Sequence, residues 1–316
     1  MRRASLLASG PVRLALCLSP LLLVAGWAVT NRSMAYEGAA RLAASNPWWL
    51  LAAAGFTCLT WVSAAFTRQG AVPDRLSPGL LLASQVAAGA ANHALPGGLG
   101  AHAVTLRFLR TQGVAPARAT ASIGLYSVAK SVSKTLVLLA FLAASPAWRR
   151  LGELVPDGRP LLTALVVAAV AVAVAGVLMI TVRPLRRPLA DLVRTALADV
   201  RIVHSRPCRV LALWGGAAAM PLVQGGALVC VGSALGLGLP WEHVVLAYLA
   251  AGTAVGAVPS PGGLAVDAAL VWTLIAFGAA PAVATATVIG YRVMSDWLPL
   301  LPGALVLSAL FRAKAL

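Results

Sequence analysis

The residues able to do chemistry are ionisable side chains set into otherwise apolar stretches. Lys130 and Lys134 are four residues apart, as are Arg292 and Asp296, so each pair shares one face of a helix. Asp267 follows Ser260-Pro261-Gly262-Gly263-Leu264, and His102 follows Leu95-Pro96-Gly97-Gly98-Leu99 at the matching place. In a helix opening near Ala117, Lys130 lies about 20 Å from the start, too deep to snorkel easily. A buried ammonium is costly, and lines a cavity or meets an acid. The chemistry expected is electrostatic. Lys130, Lys134 and Arg292 would attract an anionic headgroup, and Asp267 or Asp296 would balance charge or carry a proton. The structural alternative pairs Arg292 with Asp296, and Lys130 with Asp296 or Asp267. Arg107 and Arg110 are expected to anchor at the interface.

Covalent catalysis has no comparable support. There is no HExxH, no pair of carboxylates on one helix and no Ser/His/Asp arrangement. Cys17, Cys58, Cys208 and Cys230 form no CxxC pair, and His93, His102, His204 and His243 lack ligand spacing. No enzyme activity, metal or cofactor is expected. An ATP-binding loop is also missing, so energy would come from a partner, an ion or a lipid gradient.

The elements that must position these residues cross a membrane. Of 316 residues, 60% are hydrophobic and 11% charged, too few charges to cover soluble domains of this length. A net charge of +16 invites a nucleic-acid partner, but the basic residues sit in short gaps between apolar runs, so none is expected. Full-length spans are expected at Leu14–Thr30, Trp48–Thr67, Ala117–Ala144, Leu161–Val182 and Val210–Leu237, with a sixth at Pro281–Leu298. Leu300–Phe311 is short for a crossing. Pro78–Gln112 and Trp241–Gly278 each read as two half-helices broken at Pro and Gly, a re-entrant or broken pair. The fold expected is an all-α, polytopic membrane protein of about 6–8 transmembrane helices in one integral membrane domain.

Charge orients it. With a cytoplasmic N-terminus, the inner segments hold 15 Arg and Lys residues against 5 in the outer ones, seven of them in 183–209. Residues 14–30 are expected to form a leading, uncleaved helix, 47–182 a first repeat, 183–209 a basic cytoplasmic loop and 210–312 a second repeat.

The repeat is visible as an offset of 165 residues. Pro96-Gly97-Gly98-Leu99 falls on Pro261-Gly262-Gly263-Leu264, Gly113 on Gly278, Pro116 on Pro281, Thr120 on Thr285 and Tyr126 on Tyr291. Three full spans separate the two broken segments, and an odd number inverts one half against the other. Inverted repeats with interrupted helices are a recurring architecture of alternating-access transporters. Each Pro-Gly-Gly is expected to touch substrate. Pro ends a helix, Gly allows close approach, and the next helix start offers free N–H groups to an anion such as a phosphate.

With Arg107 and Gly113 in the first half, and Pro259-Ser260-Pro261-Gly262-Gly263-Leu264, Gly278 and Tyr291-Arg292 in the second, the chain resembles the lysylphosphatidylglycerol synthase transmembrane-region family from about Trp48 to Phe311. That family includes the flippase portion of the bacterial multiple peptide resistance factor and stand-alone relatives. The resemblance implies a multi-pass protein of the bacterial cytoplasmic (inner) membrane that moves anionic, aminoacylated, glyco- or polyprenyl-lipid between leaflets. Its partners would be membrane lipid and, in a scaffold role, a lipid-biosynthetic enzyme. Where family members often carry Glu, this chain has Asp267 shifted by about one position and then Ala268, and Gly100-Ala101 replaces a Gly-Glu pair. No aminoacyl-transferring domain follows Leu316, so synthesis of lysyl-lipid by this chain alone is not expected.

Overall fold

The computed structural model describes residues 45–94, 99–144, 198, 200–255 and 263–313. The expected spans Leu14–Thr30 and Leu161–Val182, most of the basic loop, and Pro96, Gly97, Gly98, Pro261 and Gly262 lie outside the described residues.

Every regular element among the described residues is helical. Helix α1 (Pro47–Ala71) begins where Asn46 accepts the Trp48 amide at 3.1 Å and Pro47 supplies a preset φ. It is followed by α2 (Pro78–Ala94), α3 (Leu99–Thr111) and α4 (Pro116–Ala144). The second series is α5 (Pro207–Ala234), α6 (Trp241–Ala254), α7 (Leu264–Ala276), α8 (Pro281–Arg292) and α9 (Leu300–Arg312). A π turn at Leu211–Gly215 interrupts α5, and another at Val293–Trp297 joins α8 towards α9.

Among the described residues, four stretches are long and apolar enough to cross a membrane: α1, α4, α5 and Pro281–Arg312. The last corrects the expected break after Leu298. Pro299 keeps helical dihedrals (φ −68°, ψ −14°), so the terminal run extends the sixth span rather than standing alone. Helices α2, α3, α6 and α7 have 17, 13, 14 and 13 residues, so each reaches only about 20–25 Å, short of the roughly 30 Å hydrocarbon core. Helix α2 packs on α3 and α6 on α7, as broken helix pairs do. The chain is an all-α, multi-pass membrane protein.

The repeat extends to individual hydrogen bonds. Gly113 (φ 82°) ends α3 with Gly113 N–H donating to Arg110 and Val114 N–H to Leu109, at 3.1 and 3.0 Å. One repeat later Gly278 (φ 105°) ends α7 with Gly278 N–H donating to Ile275 and Ala279 N–H to Leu274, at 2.9 and 3.1 Å. These are matching Schellman caps, which need the left-handed backbone that glycine adopts freely. The Thr120 hydroxyl donates to the Pro116 carbonyl at 2.9 Å, and Thr285 to Pro281 at 2.8 Å.

Tertiary contacts are reciprocal too. Helix α2 lies against α9, and α6 against the end of α4, where Phe141 meets Trp241 edge-on at 6.2 Å. Equivalent helices α1 and α5 form the seam between the halves. Gly70 packs on Leu213, Gly216 on Thr67 and Ser63, Gly226 on the Phe56 ring, and Ala53 joins Cys230 and Val231 in one cluster. As the position on α1 falls, the position on α5 rises, so the two equivalents run antiparallel. The halves are inverted copies.

Candidate functional site

The second half assembles a charged cluster from three separate pieces of chain. Gly263 (φ 76°) turns the backbone into α7 and places Asp267 in that helix's first turn. Arg292 closes α8, and the π turn that follows shifts Ser295 and Asp296 round the helix relative to an unbroken α register. The Arg292 guanidinium bridges both acids. Its Nε donates to Asp267 Oδ1 and Oδ2 at 2.8 and 3.0 Å, Nη2 lies 2.8 Å from Oδ1, and Nη1 donates to Asp296 Oδ2. Nη2 also reaches the Gly263 carbonyl at 3.5 Å. A fork of donors suits this duty better than a lysine would.

Next to the cluster is a cavity of about 50 Å³. Thr57 and Thr60 line it from α1, Gln224 from α5, and Tyr291, Ser295 and Asp296 from the last span, so it lies between the two halves. Gln224 accepts a 2.8 Å hydrogen bond from the Tyr248 hydroxyl, and the Tyr248 and Tyr291 rings meet edge-on at 6.0 Å. Lys134 Nζ lies 5.4 Å from the Tyr248 ring centroid and packs over Gly252, where a Cβ would strike it. An ammonium over an aromatic face is an attractive contact. Tyr248→Phe removes a neutral donor from half-buried Gln224, and is expected to lower stability by about 1 kcal/mol. Thermal melting of the purified variant reads that loss.

The charges expected to surround one cavity divide between two places. Asp267, Arg292, Asp296 and Gly263 come together, and the Arg292–Asp296 pair forms as its spacing implies. Lys134 joins that group only through the tyrosines. Lys130 meets neither acid: both carboxylates bond Arg292, and Lys130 is exposed on α4. His102 is half-buried on α3, with its Nδ1 buried and unpartnered among the described residues. Arg107 stacks over Phe311, 4.8 Å from its centroid, which ties α3 to α9.

Residues missing from the sequence-based list include Tyr248, Thr57, Thr60, Ser295 and Arg68. The π turn accounts for Ser295, because no local sequence rule signals it. A span expected to end at Thr67 leaves Arg68 just beyond it, but α1 continues to Ala71 and buries it. At the neighbouring end of α5, Arg209 donates to the Gln69 carbonyl at 3.0 Å and to Val72, covering orphan carbonyls at the end of α1.

Compared with known families, residues 12–303 match the family model described as Lysylphosphatidylglycerol synthase TM region. No curated protein gives a match.

Proposed function

Because the chain belongs to the Lysylphosphatidylglycerol synthase TM region family, a membrane-lipid family, we propose that it translocates an anionic, aminoacylated, glyco- or polyprenyl-lipid headgroup across the bacterial cytoplasmic membrane. It does so as a flippase-like carrier without converting the lipid chemically, and with its N-terminus in the cytoplasm. The observation that carries this reading is a polar, charged cluster at the seam of two inverted halves, next to paired broken helices. Inverted halves can exchange outward- and inward-facing arrangements by rocking about such a seam. Charged groups at that depth are costly unless a pathway uses them. Arg292 would meet the headgroup phosphate, and Asp267 and Asp296 would hold the guanidinium when no lipid is present.

Cysteine accessibility tests the alternation. With Cys17, Cys58 and Cys208 replaced by serine and Cys230 by alanine, Ser295→Cys in oriented vesicles is expected to react with an impermeant maleimide applied from either side. Reaction from one side alone would contradict alternating access.

A second reading is favoured by the cavity's size. A volume of about 50 Å³ suits a water or two and no headgroup, as in a static scaffold for an envelope-lipid enzyme. A scaffold would leave Ser295→Cys protected, or open to one side only.

A further inference from the structure

The seam cavity is lined by oxygen. Thr57 donates its hydroxyl proton to the Ala53 carbonyl at 3.0 Å, and Thr60 donates to Phe56 at 3.1 Å. What each threonine has left to offer the cavity is a pair of oxygen lone pairs. Gln224 accepts from Tyr248 through Oε1, and a carbonyl oxygen has a second lone pair beyond that bond. Ser295 adds a hydroxyl and Asp296 a carboxylate, while Trp61 and Tyr291 complete the wall. Oxygen ligands gathered round a small volume are what a hard cation binds.

Charge points the same way. One guanidinium, Arg292, is shared by two carboxylates, Asp267 and Asp296, so these three side chains sum to a single negative charge. Lys134, on the far side of the tyrosines, contacts the Tyr248 ring rather than either acid. Thr57 and Thr60 stand near the middle of α1 and Ser295 near the middle of Pro281–Arg312, which puts the cavity at mid-span depth. A net charge there is costly unless a counter-charge meets it.

Size and ligand count narrow the ion. About 50 Å³ takes a body no larger than one or two waters. That admits a dehydrated alkali cation and excludes a magnesium ion with its retained waters. Among the described residues no three His, Cys, Asp or Glu side chains gather as a divalent site would require. A proton would cancel the same charge, but it needs one carboxylate oxygen and gives the hydroxyl-lined space no role.

We propose that the seam cavity binds one small monovalent cation, sodium or an ion of similar size, between Asp296, Ser295 and the Thr57 and Thr60 hydroxyls. The ion brings the cluster to neutrality. Its ligands come from both halves, so a rocking motion that parts α1 from the last span dismantles the site. Coupling ions in inverted-repeat carriers sit near the midplane at such a junction. The coupling role rests on the translocation reading; the binding itself does not.

Binding is measured on the full chain in maltoside detergent without added lipid. Thermal melting and retention of radioactive sodium are followed as sodium chloride replaces choline chloride at constant ionic strength. Sodium should raise the wild-type melting temperature in a saturable way. Thr60→Val keeps the charged cluster and should weaken the apparent affinity about ten-fold, the scale of losing one supporting group at a metal site. Asp296→Asn removes the excess charge and should abolish the response. Thr120→Val is the control: its hydroxyl makes the same own-helix bond, to Pro116 at 2.9 Å, but is exposed on α4 and lines no part of the cavity. It should respond as wild type does. Equal stabilisation by choline and sodium would overturn the site, as would a full sodium response in both Thr60→Val and Asp296→Asn. Melting that follows pH but not sodium would give the neutralising role to a proton and overturn it too. Sodium binding by protein that moves no lipid would leave the site standing and contradict translocation alone.

Discussion

Arg292→Ala is expected to destabilise the protein by about 1–3 kcal/mol, because removing one member of a part-buried ion cluster strands the others. The stranded groups are Asp267 and Asp296, whose side chains are 20% and 24% exposed. The loss should appear as a lower melting temperature and a poorer yield of monodisperse protein in detergent. Replacing both acids by asparagine in the same chain removes the stranded charge. The triple variant Arg292→Ala with Asp267→Asn and Asp296→Asn should regain most of the lost stability but transport no lipid. It therefore separates what the cluster does for folding from what it does for function. A triple variant that is stable and fully active would leave the cluster with a structural role only.

The second large effect is at the seam. Gly70 and Gly216 let α1 and α5 approach so closely that an added Cβ at either position meets the other helix. At Gly70 it would strike the Leu213 backbone, and at Gly216 it would lie 2.6 Å from Thr67 Oγ1 and 2.9 Å from the Thr67 nitrogen. Neither backbone can retreat without spreading the two halves. Gly70→Val and Gly216→Val are each expected to cost about 1–3 kcal/mol, the range for overpacking. Gly124 supplies the control, since nothing lies within 4 Å of its added Cβ. Gly124→Ala should be neutral or stabilising by up to about 1 kcal/mol through helix propensity. Equal losses at all three glycines would contradict the seam.

Much of this architecture is written in local chemistry and so can be read without coordinates. Proline cannot extend a helix backwards, and glycine caps one in the left-handed region. Pro116, Pro281, Gly113 and Gly278 therefore mark boundaries that match at the 165-residue offset. Antiparallel packing of equivalent helices follows from counting spans between the broken segments. Partner choice is harder to read. The spacing of Arg292 and Asp296 gives their pairing, but the contact of Arg292 with Asp267 crosses 25 residues and depends on how α7 meets α8. The π turns carry no clear sequence mark, and they decide where Ser295 points. Arg68 shows the difficulty at a span's edge. Hydropathy ends the span at the first charge, whereas the helix continues and its packing buries that charge.

The two halves share a backbone plan but differ in charge. Asp267 and Asp296 neutralise the second half's arginine, whereas His102 and Ser131 stand at the corresponding places in the first.

Leaflet exchange of a headgroup-labelled phosphatidylglycerol in proteoliposomes tests the central claim most directly. An impermeant quencher bleaches the outer leaflet, and the further decay reports label arriving from inside. Wild-type protein should deplete the inner-leaflet label well beyond protein-free vesicles, while the stabilised triple variant should match those vesicles. Wild-type decay no faster than in empty liposomes, from protein shown to be folded and inserted, would contradict translocation.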